Sequence, residues 1–83
     1  MAVTVGLVQQ LSIISPTGAC VWVGPRVNNA EVLYVTNDGS VADAAFAANL
    51  IQTFAAAAAN YRAVSVTHND DDGKVTMLQV EPV

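Results

Sequence analysis

A small β-barrel carrying one helix is the fold class that this 83-residue sequence predicts. Three observations point to it. Apolar, β-branched segments follow one another in an order that reads strand, strand, strand, helix, strand, strand. A glycine sits inside the long first strand. Residues 44–61, AAFAANLIQTFAAAAANY, form an alanine-rich run without a charged side chain.

The first strand spans residues 3–14. Val3, Val5, Leu7, Leu11 and Ile13 fall on one face at period two, with Gln9 interrupting them. Gly6 inside it predicts a bulge or sharp bend, the device that lets one strand serve two parts of a barrel. Ser15-Pro16-Thr17-Gly18 is a turn by composition, because Pro presets φ and Gly tolerates a positive φ. Residues 19–23 give a short second strand, with Cys20 and Trp22 on one face and Val21 and Val23 on the other. Gly24-Pro25 ends it, residues 26–30 form a polar loop, and residues 31–36 are the third strand.

Ser40 and Asp43 have the spacing of a capping box at a helix start. The helix is expected at about 41–61, since alanine has the highest helix propensity. Residues 63–68 and 74–80 are the fourth and fifth strands, joined by a hairpin loop through Asn69, Asp70, Asp71, Asp72 and Gly73. Five strands with a helix between the third and fourth match the partly open Greek-key barrel of the oligonucleotide/oligosaccharide-binding (OB) fold. The whole chain, 1–83, is one such OB-fold-like domain.

Composition bounds what the domain does. A chain this short buries only about 60–65% of its unfolded surface, so extra burial has to come from disulfides, metal or oligomerisation. Cys20 is the only cysteine and His68 the only histidine, which excludes an internal disulfide and multi-Cys or multi-His metal sites. Charged residues are 12% of the chain, net charge is −4, and the only cations are Arg26, Arg62 and Lys74. That is a poor footprint for nucleic acid or for anionic membranes. The amino terminus has no basic segment ahead of an apolar one, so no signal peptide is expected, and a cytoplasmic or a mature exported form are equally open.

On a helical wheel the uncharged run divides in three. Phe46, Leu50, Phe54, Ala57 and Tyr61 form a bulky stripe suited to plugging a barrel. Ala44, Ala48, Ile51, Ala55 and Ala58 form a stripe of mostly small side chains suited to a neighbouring subunit. Asn49, Gln52, Thr53, Ala56 and Asn60 fill the remaining arc, of which Asn49, Gln52 and Asn60 are expected to line a central channel. A membrane span is the competing reading of 18 uncharged residues, weakened by the Asn, Gln and Thr and by the flanking strands. Exposed alanines on an ordinary surface helix are another.

An oligomerising barrel of this size, with the uncharged helix between its third and fourth strands, resembles the pentameric cell-binding (B) subunits of bacterial A–B toxins. The resemblance rests on element order and on the helix, and no residue motif carries it. It implies a ring of subunits with helices around a central pore and barrels presenting glycan sites. The disulfide usual in those subunits has no counterpart here, because Cys20 stands alone.

The sequence therefore predicts a non-enzymatic protein that assembles with itself into a closed ring, pentameric by the resemblance, without a cofactor. The alternative is a multivalent, lectin-like carbohydrate-binding module using Trp22, Arg26, Asn28 and Asn29, since aromatic faces stack on sugar rings and the neighbours offer hydrogen bonds. The His68–Asp72 segment fails as an EF-hand because His68 stands in the first ligand position and Gln79 in the twelfth. A Cys20–His68 nucleophile–base pair has nothing in the sequence to assemble it, and a buried, inert thiol is expected.

Overall fold

The computed structural model describes residues 1–26 and 28–81. Five strands and one helix follow in the expected order: β1 (Ala2–Ser15), β2 (Gly18–Arg26), β3 (Asn29–Val35), α1 (Val41–Ala59), β4 (Ala63–His68) and β5 (Val75–Val80). Val27, in the expected polar loop, lies outside the described residues.

The strands form one antiparallel five-stranded sheet ordered β3-β2-β1-β4-β5. Its organiser is β1. The amino-terminal half pairs with β4, from Ala2↔His68 to Leu7↔Ala63, and the carboxy-terminal half pairs with β2, from Leu7↔Gly24 to Ser15↔Gly18. One strand thus serves two neighbours, as the interior glycine suggested. At the far edges a single parallel bridge joins Tyr34 to Lys74, and the Tyr34 N–H donates to the Gly73 carbonyl at 2.9 Å.

Two glycines permit the curl of the sheet. A Cβ on Gly6 would lie 2.8 Å from the backbone of Gly24, and a Cβ on Gly24 would lie 2.7 Å from Ala30 Cα. Backbones approach there closer than any side chain allows. The register break of β1 falls elsewhere than expected, between Val8 and Gln10 against β2. Gln9, the displaced residue, sends its side-chain amide to the Gly24 carbonyl at 2.7 Å.

That break reverses the parity of β1. Val3, Val5 and Leu7 point outward, with Val3 60% and Val5 58% exposed, while Leu11 beyond the break packs against the core. The single apolar face expected from Val3 to Ile13 is therefore two faces, because a one-residue slip turns every following side chain over.

In β2 the alternation holds: Val21 and Val23 are fully buried, with Cys20 and Trp22 half-buried on the opposite face. The strand runs on through Pro25 to Arg26, where a register shift relative to β3 accommodates the missing N–H. Val21, Val23, Leu33, Val35, Val64, Val66 and Val75 form the sheet side of the core, and Ala47, Leu50, Ile51, Phe54 and Ala57 form the helix side.

α1 starts as expected at Ser40, whose hydroxyl accepts the Asp43 N–H at 3.2 Å. The reciprocal half of a capping box is rewired: Asp43 Oδ2 accepts from the Asp38 N–H, and the Ser40 N–H goes to Asp38 Oδ1, both at 2.9 Å. The helix ends at Ala59, two residues before the expected Tyr61. Asn60 caps it. Tyr61 turns left-handed (φ 53), and the Arg62 N–H reaches the Ala57 carbonyl at 2.9 Å while the Tyr61 N–H reaches the Ala58 carbonyl, a Schellman closure. α1 packs chiefly on β1, with further contacts to β2 and β3.

Candidate functional site

The face α1 turns to the sheet is rotated from the expected one. Ala47, Leu50, Ile51, Phe54 and Ala57 are buried, whereas Phe46 is 42% and Tyr61 85% exposed. Phe46 and Tyr61 therefore leave the expected core stripe. Ile51, expected at a subunit interface, is 7% exposed and belongs to the subunit's own core. Of its companions, Ala55 is exposed and Ala44, Ala48 and Ala58 are half-buried along one flank. The physical reason is the rotation of α1 on the sheet, which brings Ile51 in beside Leu50 and Phe54 and turns Phe46 out.

What α1 leaves outside is uncharged: Val41, Ala42 and Phe46 toward its start, then the small or neutral Ala45, Asn49, Gln52, Ala55, Ala56 and Ala59. Asn60, at the cap, is exposed and folds its amide back on the Ala56 carbonyl at 2.8 Å. Thr53, on the flank, bonds the Asn49 carbonyl at 2.8 Å. Between this flank and β5 lies a groove in two depressions that share Thr53. One, of about 430 Å³, is lined by Ala56, Ala57, Asn60, Arg62 and Val80; the other, of about 340 Å³, by Phe46, Asn49, Leu50, Thr76, Met77 and Leu78. Arg62 donates through Nη2 to the Glu81 carbonyl at 2.9 Å, while its buried Nε finds no acceptor among the described residues. By length and composition α1 would also pass for a membrane-crossing helix, at mean hydropathy 1.3 over its most apolar window.

Arg26, Asn28 and Asn29 are gathered at the exposed β2–β3 hairpin, where Arg26 pairs in register with Asn29. Trp22 is not with them. It lies half-buried on the outer face between Gln10 of β1 and Val32 of β3. Four residues of extended chain separate it from Arg26, on the order of 13 Å. No one depression among those described joins the tryptophan to the three polar residues.

Cys20 and His68 lie on opposite faces of the sheet. Cys20 shares the outer face with Trp22, whereas His68 continues the inward series Val64, Val66 and is 3% exposed. The thiol is half-exposed rather than buried as expected. In the β4–β5 loop, Asp70 accepts from the Met1 ammonium at 3.0 Å, and Lys74 reaches Asp43 at 3.5 Å. Backbone donation from Lys74 holds the Asp72 carboxyl below the usual aspartate value of 3.8, and the Ser40 side chain, followed by the Ser40 N–H, does the same for Asp38. Among the described residues no cluster of three or more His, Cys, Asp or Glu is placed to hold a metal ion.

Sequence reasoning missed one polar cluster. Thr4 Oγ1 stands 2.8 Å from His68 Nε2 and 2.9 Å from Glu31 Oε2, tying β1, β4 and β3 together on the inner face. The alternation of β1 assigned Thr4 to the solvent side, and only the break at Gln9 signals otherwise. A hydroxyl beside an imidazole is also how a nucleophile–base pair begins. Here that hydroxyl is already engaged by a carboxylate, and the depressions described are lined by other residues.

The geometry defines a small antiparallel β-sheet protein with one core helix whose outer face carries no charge. Comparison with protein-family models, with curated proteins and with solved structures returns no match.

Proposed function

We propose that this chain is a non-enzymatic, OB-fold-like barrel subunit that assembles with copies of itself into a closed ring, five subunits being the expected number. The observation that carries the reading is the outer face of α1. A solvent-facing helix normally keeps a charged or strongly polar face. Here Ala45, Ala55, Ala56 and Ala59 alternate with Asn49 and Gln52, with Val41 and Phe46 exposed nearer the start of α1 and no charged residue among the exposed ones, in a protein whose charged residues are 12% of the chain.

The interface so proposed uses Ala48 and Ala55 of the stripe expected from sequence, joined by Ala45 and Ala59. Small residues let a neighbouring element approach closely, and Asn49, Gln52 and Asn60 are then the side chains left for a channel. Heterologous contacts between copies generate a cyclic ring where the rotation between neighbours closes. The barrel reading is supported by the pairing of β1 with both β2 and β4 and by the parallel Tyr34–Lys74 bridge between the two edges. The aqueous reading of α1 is supported by Leu50, Ile51 and Phe54, which are spent on the sheet and unavailable to lipid.

Sedimentation velocity of the chain in dilute neutral buffer tests it. A single species near five times the 8.6 kDa chain mass is expected. A species at 8.6 kDa alone contradicts assembly.

A further inference from the structure

The Thr4–Glu31–His68 cluster has a hydrogen count that does not close unless the protein takes up a proton. His68 is buried, and each of its ring nitrogens has one partner: Nδ1 lies 3.0 Å from the Asn69 carbonyl oxygen and Nε2 lies 2.8 Å from Thr4 Oγ1. A carbonyl only accepts, so Nδ1 carries a hydrogen. Thr4 Oγ1 also stands 2.9 Å from Glu31 Oε2. A carboxylate only accepts, and a hydroxyl has one hydrogen to give. The two contacts of Thr4 need two hydrogens between them. The second is supplied by Nε2 of an imidazolium, or by a protonated Glu31.

We propose that Thr4, Glu31 and His68 form a proton-binding latch that fastens β3 to β1 when loaded and releases it when empty. In the loaded state His68 donates through Nδ1 to Asn69 and through Nε2 to Thr4, and the Thr4 hydroxyl donates to Glu31. Loss of the Nε2 proton to water leaves Nε2 as an acceptor. The Thr4 hydroxyl turns to it and the Glu31 carboxylate loses its donor. One proton is exchanged with solvent and no bond between heavy atoms is made or broken. The exposed Glu31 carboxylate and the Thr4 hydroxyl give the buried imidazole a path to water.

The latch matters to the fold because β1 and β3 are not neighbours in the sheet; β2 lies between them. The Thr4–Glu31 bond therefore spans the curl of the sheet at the end where β2 and β3 meet in the Arg26–Asn29 hairpin. The charged groups near it come from adjoining segments. Ahead of β1 stands the Met1 ammonium, paired with Asp70. β3 brings Glu31, whose carboxylate meets Thr4. The loop after β4 brings Asp70, Asp71 and Asp72, and Lys74 beyond it is directed to Asp43.

His68 is the only histidine, so its imidazole is read without overlap by long-range ¹H–¹⁵N correlation on the intact protein. The wild type is compared with Thr4→Val and Thr4→Ser between about pH 5 and pH 8, the range of imidazole titration. The neutral ring is expected as the Nδ1–H tautomer, the less common form in water. The Glu31 carboxyl ¹³C resonance is expected to shift with the same midpoint as the His68 ring. That coupled shift is expected to vanish in Thr4→Val and to return in Thr4→Ser. An Nε2–H tautomer in the neutral wild type overturns the proposal, as does a Glu31 resonance that ignores His68 titration. Thr4→Val is close to isosteric, and retained far-ultraviolet dichroism shows that any lost coupling is not lost folding. If Thr4→Val keeps the coupled shift, Thr4 is not the bridge and the proposal also fails.

Discussion

α1 and the first half of β1 distribute their side chains in opposite ways. α1 turns Leu50, Ile51 and Phe54 inward and, beyond Val41 and Phe46 near its start, leaves mainly alanines outside. β1 turns Ala2, Thr4 and Gly6 inward and leaves Val3, Val5 and Leu7 outside. On the inner side of this half, Gly6 meets the Gly24 backbone and leaves no space for a side chain, and Thr4 is held between Glu31 and His68. The result is a molecule with two uncharged faces, one small and helical, one aliphatic and pleated. Fully burying an aliphatic side chain is worth roughly 1.5–3 kcal/mol, so leaving several outside forgoes stability unless assembly covers them.

The comparison breaks hardest at Phe54. It is fully buried between helix and sheet, and Phe54→Ala is expected to cost about 3–5 kcal/mol in urea unfolding. Val5→Thr, on the outward face, is expected to move the subunit's own stability by no more than about 0.5 kcal/mol. Comparable losses at the two sites would mean that the outer face is already packed.

Gly24→Ala probes why β1 is inverted. The new methyl would meet the Ala30 backbone, and overpacking of this kind costs about 1–3 kcal/mol. A neutral result in thermal melts would show that the curl is loose. Tyr61→Gly acts in the other direction. Tyr61 is exposed and left-handed, so glycine is expected to raise stability by about 1 kcal/mol. A loss instead would give the tyrosine ring a packing role.

The smallest effect is at the turns that deliver and close these elements. Asp38 and Asp72 are held below the usual 3.8, so the stabilisation they lend is present above that value and is lost as pH falls below it. Acid melts of Asp38→Asn and Asp72→Asn should show a shallower decline than the wild type below about pH 4. Parallel declines would remove these carboxylates from the account.

Element order, the Ser40 helix start and the shared face of Val21 and Val23 in β2 were legible because each follows from local chemistry: a turn, a cap, a period of two. The helix wheel gave the width of the buried face but not its rotation. Phe46 and Ile51 changed places because the wheel cannot say where the sheet lies. The end of α1 was overrun by two residues, since nothing in Tyr61 announces a left-handed φ. The inversion of β1 was hidden for a related reason. An unbroken alternation was read across Gln9, whereas the register slips there opposite Val23 and Trp22, with the Gln9 amide on the Gly24 carbonyl. Thr4 then became an inner residue beside His68, which period two alone could not foresee. The residues Arg26, Asn28 and Asn29 share one hairpin because they are neighbours in the chain, while Trp22 was grouped with them by side-chain chemistry that the strand geometry separates.

Native mass spectrometry of the wild type beside Ala55→Glu tests the central claim most directly. Ala55 is exposed on α1, so glutamate there does not disturb the core of the subunit. The wild type is expected at five times the chain mass, and Ala55→Glu as a folded 8.6 kDa chain. An Ala55→Glu protein with the same assembly as the wild type, or a wild type that is itself 8.6 kDa, would contradict the assignment of the helix face to subunit contact.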